Sequence, residues 1–121
     1  MDKPVINWKG STLAREFVLP NLAPIQGNAF YFSPLLTRWG FTSLWGWITS
    51  DRAFQVYFFN LDRANNFGPV IVLPSAINPF TGFNEVALAN VALVGNTFEI
   101  GIFNLSPLAM TYIHHYMEVR P

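Results

Sequence analysis

The chain is expected to fold as an all-β domain, an antiparallel β-sandwich or jelly roll of roughly seven or eight short strands with an extended N-terminal arm. Three observations predict this. Nine prolines and eight glycines punctuate 121 residues from one end to the other. The segments between them are rich in Val, Ile, Phe, Tyr and Trp, which suit a pleated, half-buried surface. Several of those segments also alternate with the two-residue period of a strand.

Taken in order, residues 1–10 read as the arm and residues 11–121 as a single domain. Two strands are expected at 12–19 and 29–33, separated by Pro20, Pro24 and Gly27. From 39 to 49 the odd positions hold Trp39, Phe41, Ser43, Trp45 and Trp47, and the even ones Gly40, Thr42, Leu44, Gly46 and Ile48. One face is therefore aromatic and the other small or aliphatic. Ser50-Asp51-Arg52 supplies a polar turn, and 53–59 is expected to return as the second strand of an antiparallel hairpin. Residues 60–68 form a polar loop, 69–73 a short strand, and 74–84 a second loop. The run from Val86 to Val94 has Ala and Leu that suit a helix, and valines and a following Gly95-Asn96 that suit a hairpin; a strand is preferred. Residues 97–103 alternate, with Phe98, Ile100 and Ile102 on one face and Glu99 and Gly101 on the other. The last strand is expected over 108–119.

Composition narrows the function. Apolar residues make up 51% of the chain and aromatic ones 17%, while only 12% are charged, against a usual charged share of about 25%. A domain of this size has too much surface for its own core to hide so many apolar side chains, so part of them is expected to face partner subunits. Seven basic and seven acidic residues balance to zero, which argues against a nucleic-acid partner. The absence of cysteine removes disulfides, thiolate metal sites and cysteine nucleophiles. No signal peptide is expected in the first ten residues, and no run is long enough for a membrane-spanning helix.

No catalytic constellation is visible. His114 and His115 are strand neighbours that point to opposite faces, so they are expected to be one packed or interfacial and one solvated side chain rather than a metal pair. Asp51, Asp62, Glu85, Glu99 and Glu118 are scattered, and no nucleophile elbow, phosphate-binding loop or dinucleotide fingerprint occurs. The expectation is a protein that is not an enzyme and takes no metal or other cofactor. The row Trp39, Phe41, Trp45 and Trp47 carries most of the functional content. Its first reading is a core row, its second a subunit interface, its third a platform on which sugar rings stack. In the last strand Met110, Tyr112, His114 and Tyr116 line one face with few charges to discourage pairing. The interface candidates are Trp8, Trp39, Trp45, Trp47, Met110, Tyr112 and Tyr116.

The segment Thr49-Ser50-Asp51-Arg52-Ala53-Phe54-Gln55-Val56-Tyr57-Phe58, followed by the polar turn from Leu61 to Phe67, resembles the strand, Ser-Asp turn, strand and decorated loop of small jelly-roll proteins from tailed bacteriophage particles. Phe98-Glu99-Ile100-Gly101-Ile102-Phe103-Asn104, with Ser106-Pro107 and the closing strand, resembles the end of those domains. The likeness covers about half of the chain. It implies a structural protein of the virion, a capsid decoration or cement protein or a spike-type module. Such a protein would be made in the host cytoplasm and located at the particle surface as a symmetric homo-oligomer, a trimer before other orders, touching other capsid proteins. Residues 1–27 would then lie across a neighbouring subunit. The alternative from the residues themselves is a carbohydrate-binding β-sandwich that uses the aromatic row for a glycan.

Overall fold

The computed structural model describes residues 14–66 and 68–121. Among them are ten antiparallel strands and no helix: β1 (Arg15–Phe17), β2 (Phe30–Phe32), β3 (Leu36–Thr37), β4 (Ser43–Ser50), β5 (Phe54–Asn60), β6 (Ile71–Pro74), β7 (Ala76–Ile77), β8 (Asn84–Ala92), β9 (Thr97–Asn104) and β10 (Ile113–Arg120). They form two sheets, one ordered β1-β10-β4-β8-β7 and the other β2-β9-β5-β6, with β3 also paired to β9. The β-sandwich expected from the sequence is the fold, built from more and shorter strands than the residue pattern implies.

The pairs nest. β1 lies on β10, β2 on β9, β4 on β8 and β5 on β6, all antiparallel. The chain thus runs as one long hairpin, with its tip near residues 61–70, that is folded over so that β10 also meets β4 and β9 meets β5. Doubling the hairpin over gives each strand's apolar face an opposing layer to bury against. Leu44, Ile48, Val86, Leu88, Met117 and Val119 come from the first sheet, and Phe54, Val56, Phe58, Phe98, Ile100 and Ile102 from the second. Each such side chain contributes about 1.5–3 kcal/mol when fully buried.

This arrangement corrects the expected hairpin of 39–49 with 53–59. β4 and β5 lie in different sheets, and Ser50-Asp51-Arg52 is the corner between them. A hairpin would place both apolar faces in one layer; a corner sets them against each other. Polar contacts hold that corner to the start of β10: Asp51 N donates to Tyr112 O, and the Asp51 carboxylate accepts from Thr111 Oγ1 and Tyr112 N. Gly95-Asn96 likewise links β8 in one sheet to β9 in the other and makes no hairpin.

Val86 to Val94 is mostly strand β8, as preferred, and its helix-like spacing has a structural cause. Gly46 pairs with Leu88 and Leu44 with Val91, so β8 carries one extra residue there, and Asn90 takes the left-handed conformation at φ 53°. The bulge resets the alternation, leaving Val86, Leu88, Val91 and Leu93 all facing inward. β4 begins at Ser43 rather than Trp39, because Trp39 and Gly40 form a turn with positive φ at both. Opposite the bulge, Gly46 allows β10 to close on β4. A Cβ there would fall well inside contact distance of Tyr116 O and 3.0 Å from Met117 Sδ.

Leu19, Leu22 and Ile25 are buried in the shared core, and Ile25 exchanges backbone hydrogen bonds with Met110. Asn104 secures this stretch, its Nδ2 donating to Ile25 O and Leu108 O. Leu19, Leu22 and Ile25 therefore belong to the domain's own core, while Pro20, Asn21, Ala23 and Pro24 between them are exposed. The proposed arm at 1–10 lies outside the described residues, as does the start of the strand expected at 12–19.

Candidate functional site

Trp45 and Trp47 point outward from β4, the central strand of the first sheet. The cross-strand register sets Tyr116 of β10 and Ala87 of β8 on either side of Trp47, and His114 and Glu85 on either side of Thr49. Glu118 lies opposite Trp45. The first reading of the aromatic row is thus corrected: Leu44 and Ile48 on the alternate face of β4 are in the core, and Trp47 is 45% exposed. Trp45 is half-buried, with Nε1 donating to Ser43 Oγ at 2.9 Å and the Arg120 guanidinium 4.2 Å above its ring. Trp39 sits apart in its turn, partly exposed, with Arg15 4.0 Å over its ring. Phe41 packs against the core from the loop after that turn.

The other candidates divide. Tyr112 and Tyr116 are on this outer face, and Tyr112 is stacked between Phe83 at 4.7 Å and His114 at 4.6 Å. Met110 is not an interface residue: it is 0% exposed, bridged to Ile25, because the chain reaches β10 only at Ile113. Trp8 lies outside the described residues. His115 faces inward and accepts a hydrogen bond from Leu19 N at 3.0 Å, while His114 is exposed, the division expected from their adjacency. Burial, and then the neighbouring His114, lower the His115 pKa from its ordinary value, consistent with a neutral acceptor.

Glu118 is the buried charge of this face. It accepts from Tyr116 Oη and Arg120 Nε. Burial alone would raise its pKa, but these hydrogen bonds and the Arg120 charge hold it below the ordinary value. Tyr116 is pushed up to about 12, first by burial and then by Glu118. Between β4 and β8 the face sinks into a depression of about 260 Å³, lined by Trp47, Thr49, Glu85 and Ala87.

The outer face of the second sheet carries a further aromatic cluster that the sequence pattern does not single out. Phe30 and Phe32 of β2, Tyr57 and Phe59 of β5, and Phe103 of β9 all point outward and touch in sequence. Phe30 stacks on Phe32 at 5.0 Å and meets Phe103 at 4.6 Å and Tyr57 at 5.2 Å. Gly101 makes room for this packing: a Cβ there would lie 3.1 Å from the Phe32 ring. Phe30 remains 44% exposed and Val72, opposite Tyr57 on β6, 41%. The available signal was that Phe30/Phe32 and Tyr57/Phe59 repeat at strand spacing while the positions between them are also apolar, so both faces of these strands are hydrophobic. Beside this cluster, Arg63 bonds Glu99 at 2.9 Å and lies 3.9 Å over Phe32, bordering a shallow basin of about 660 Å³.

At one end of the sandwich Phe80 is 96% exposed on the loop between β7 and β8. That loop is tied by Asn78, whose Oδ1 accepts from Phe80 N and whose backbone O accepts from Gly82 N, both at 2.8 Å. Among the described residues no three His, Asp or Glu side chains are grouped to hold a metal ion.

Comparison with known proteins finds no match: no family model, no curated protein and no solved structure matches this chain.

Proposed function

We propose that the chain is a structural protein of a virus particle, a decoration or cement protein at the capsid surface of a tailed bacteriophage, acting through subunit contacts. The observation that carries this reading is the phenylalanine-rich outer face of the second sheet. An outward face in a free monomer is usually polar at alternate positions, whereas this one carries the exposed Phe30 and the partly exposed Phe32, Tyr57 and Phe103 packed around a buried Phe59, with the exposed Val72 beside them. Aromatic side chains held in place by their neighbours lose little entropy on binding and serve as interface anchors. The nested strand pairing supports reading the sandwich as a jelly roll, an architecture used by viral capsid domains and by lectins alike. The partner on this face is a second copy of the chain, in a closed oligomer with a trimer as the first expectation, and Phe80 is available to a further capsid protein.

Light scattering over a concentration series tests the proposal. The wild-type chain is expected to give a closed oligomer, and Phe30→Asp combined with Val72→Asp a folded monomer. A wild-type chain that stays monomeric throughout, or a double variant that assembles like wild type, removes this reading.

A further inference from the structure

We infer that the depression beside Trp47 is a binding site for a single saccharide ring, with the indole as its platform and Glu85 as the acceptor for its hydroxyls. This site is on the opposite sheet from the phenylalanine face, so it stands or falls separately from the assembly reading.

The register builds it. Trp47 is central in the sheet, and its neighbour on β8 is Ala87, whose methyl group leaves the floor low beside a tall indole. Two residues along each strand stand Thr49 and Glu85, again directly paired. An apolar wall, a shallow floor and a carboxylate at one end therefore enclose about 260 Å³. That is just below the range of roughly 300–1,000 Å³ typical of drug-sized ligands, and suits one ring rather than an extended molecule.

The chemistry selects a sugar among small rings. A pyranose has an apolar C–H face, which the negative face of an indole attracts, and a rim of hydroxyls that need acceptors. A carboxylate accepts up to about four hydrogen bonds. Asn78 Nδ2 supplies one to Glu85 Oε1 at 3.1 Å, which fixes the group's direction and leaves capacity for ligand hydroxyls. Asn78 is itself held, its backbone N donating to Phe83 O at 2.8 Å.

Methyl glycosides of glucose, galactose, mannose and N-acetylglucosamine are the probes, with saturation-transfer NMR to detect binding and calorimetry to measure it. At least one should bind with millimolar affinity, a common strength for one ring on one platform. Trp47→Ala is expected to weaken that binding at least about tenfold, and Glu85→Gln several-fold. Ala87→Leu fills the floor and should abolish binding while Trp47 and Glu85 remain. All three positions face outward, so melting curves should confirm folded variants. Absence of binding by every glycoside, or binding that survives both Trp47→Ala and Ala87→Leu in folded protein, overturns the inference.

Discussion

On the outer face of the first sheet the aromatic side chains include Trp45, Trp47, Tyr112 and Tyr116, each with a polar atom; on the second sheet four of the five are phenylalanine. Both faces bury one glutamate beneath an arginine that lies over an aromatic ring, Glu118 with Arg120 over Trp45 and Glu99 with Arg63 over Phe32. The difference is where the partners come from. Tyr116 and Arg120 are two residues either side of Glu118 on the same strand, so the first face is organised locally and keeps a polar rim. Arg63 comes from the hairpin tip, 36 residues from Glu99, and its backbone N also donates to the Glu99 carboxylate at 3.1 Å. The same ionic device thus shapes a mixed polar and aromatic surface on one sheet and clamps a loop beside a phenylalanine-rich one on the other.

The two central glycines test this comparison with the largest effect. Gly46→Ala drives a Cβ against the backbone of β10, which has nowhere to go, and should cost more than about 3 kcal/mol in chemical denaturation. Gly101→Ala meets the side chain of Phe32 at 3.1 Å and no backbone, so a shift of a few tenths of an ångström suffices, and it should cost about 1 kcal/mol. Equal losses would mean that the second sheet is as tightly closed as the first.

An intermediate effect is expected in acid. Because the folded pKa of Glu118 lies below its ordinary 4.5, its stabilising contribution is full above that pH and is lost as pH falls through the folded value. Thermal melts should therefore show an acid-side decline that Glu118→Gln flattens; an unchanged slope would place the acid sensitivity elsewhere. The smallest effect contrasts two hydroxyls. Ser33 Oγ accepts from Ile100 N and donates to Pro34 O, whereas Thr49 Oγ1 has no such partner. Thr49→Val should stabilise by about 1 kcal/mol and Ser33→Ala should destabilise by a similar amount. A loss in both would show that the Thr49 hydroxyl is satisfied in solution.

The strands were legible where alternation was clean. Residues 97–103 placed Phe98, Ile100 and Ile102 inward as the pattern requires, and β10 separated His114 from His115. The Trp row is legible as a row but not as an outer one, because a period of two says which residues share a face and not which face is inside. That was decided by Leu44 and Ile48, which are buried in one core with Phe54 and Phe58 of the other sheet. Glu85 and Ala87 lie about forty residues from Trp47 in the chain, and their meeting depends on the β4 and β8 register, which no local pattern carries. The phenylalanine face is hidden from local patterns for a related reason: its members come from three separate strands, β2, β5 and β9.

By itself, the sequence determined the class of fold, the positions of most strands and the excess of apolar surface, since local sterics, turn residues and alternation act within a few residues. The tertiary structure decided which strands share a sheet, which aromatic row faces outward and where a depression opens. These follow from pairings between distant segments, chosen because they bury the most apolar area while leaving few backbone groups unpaired.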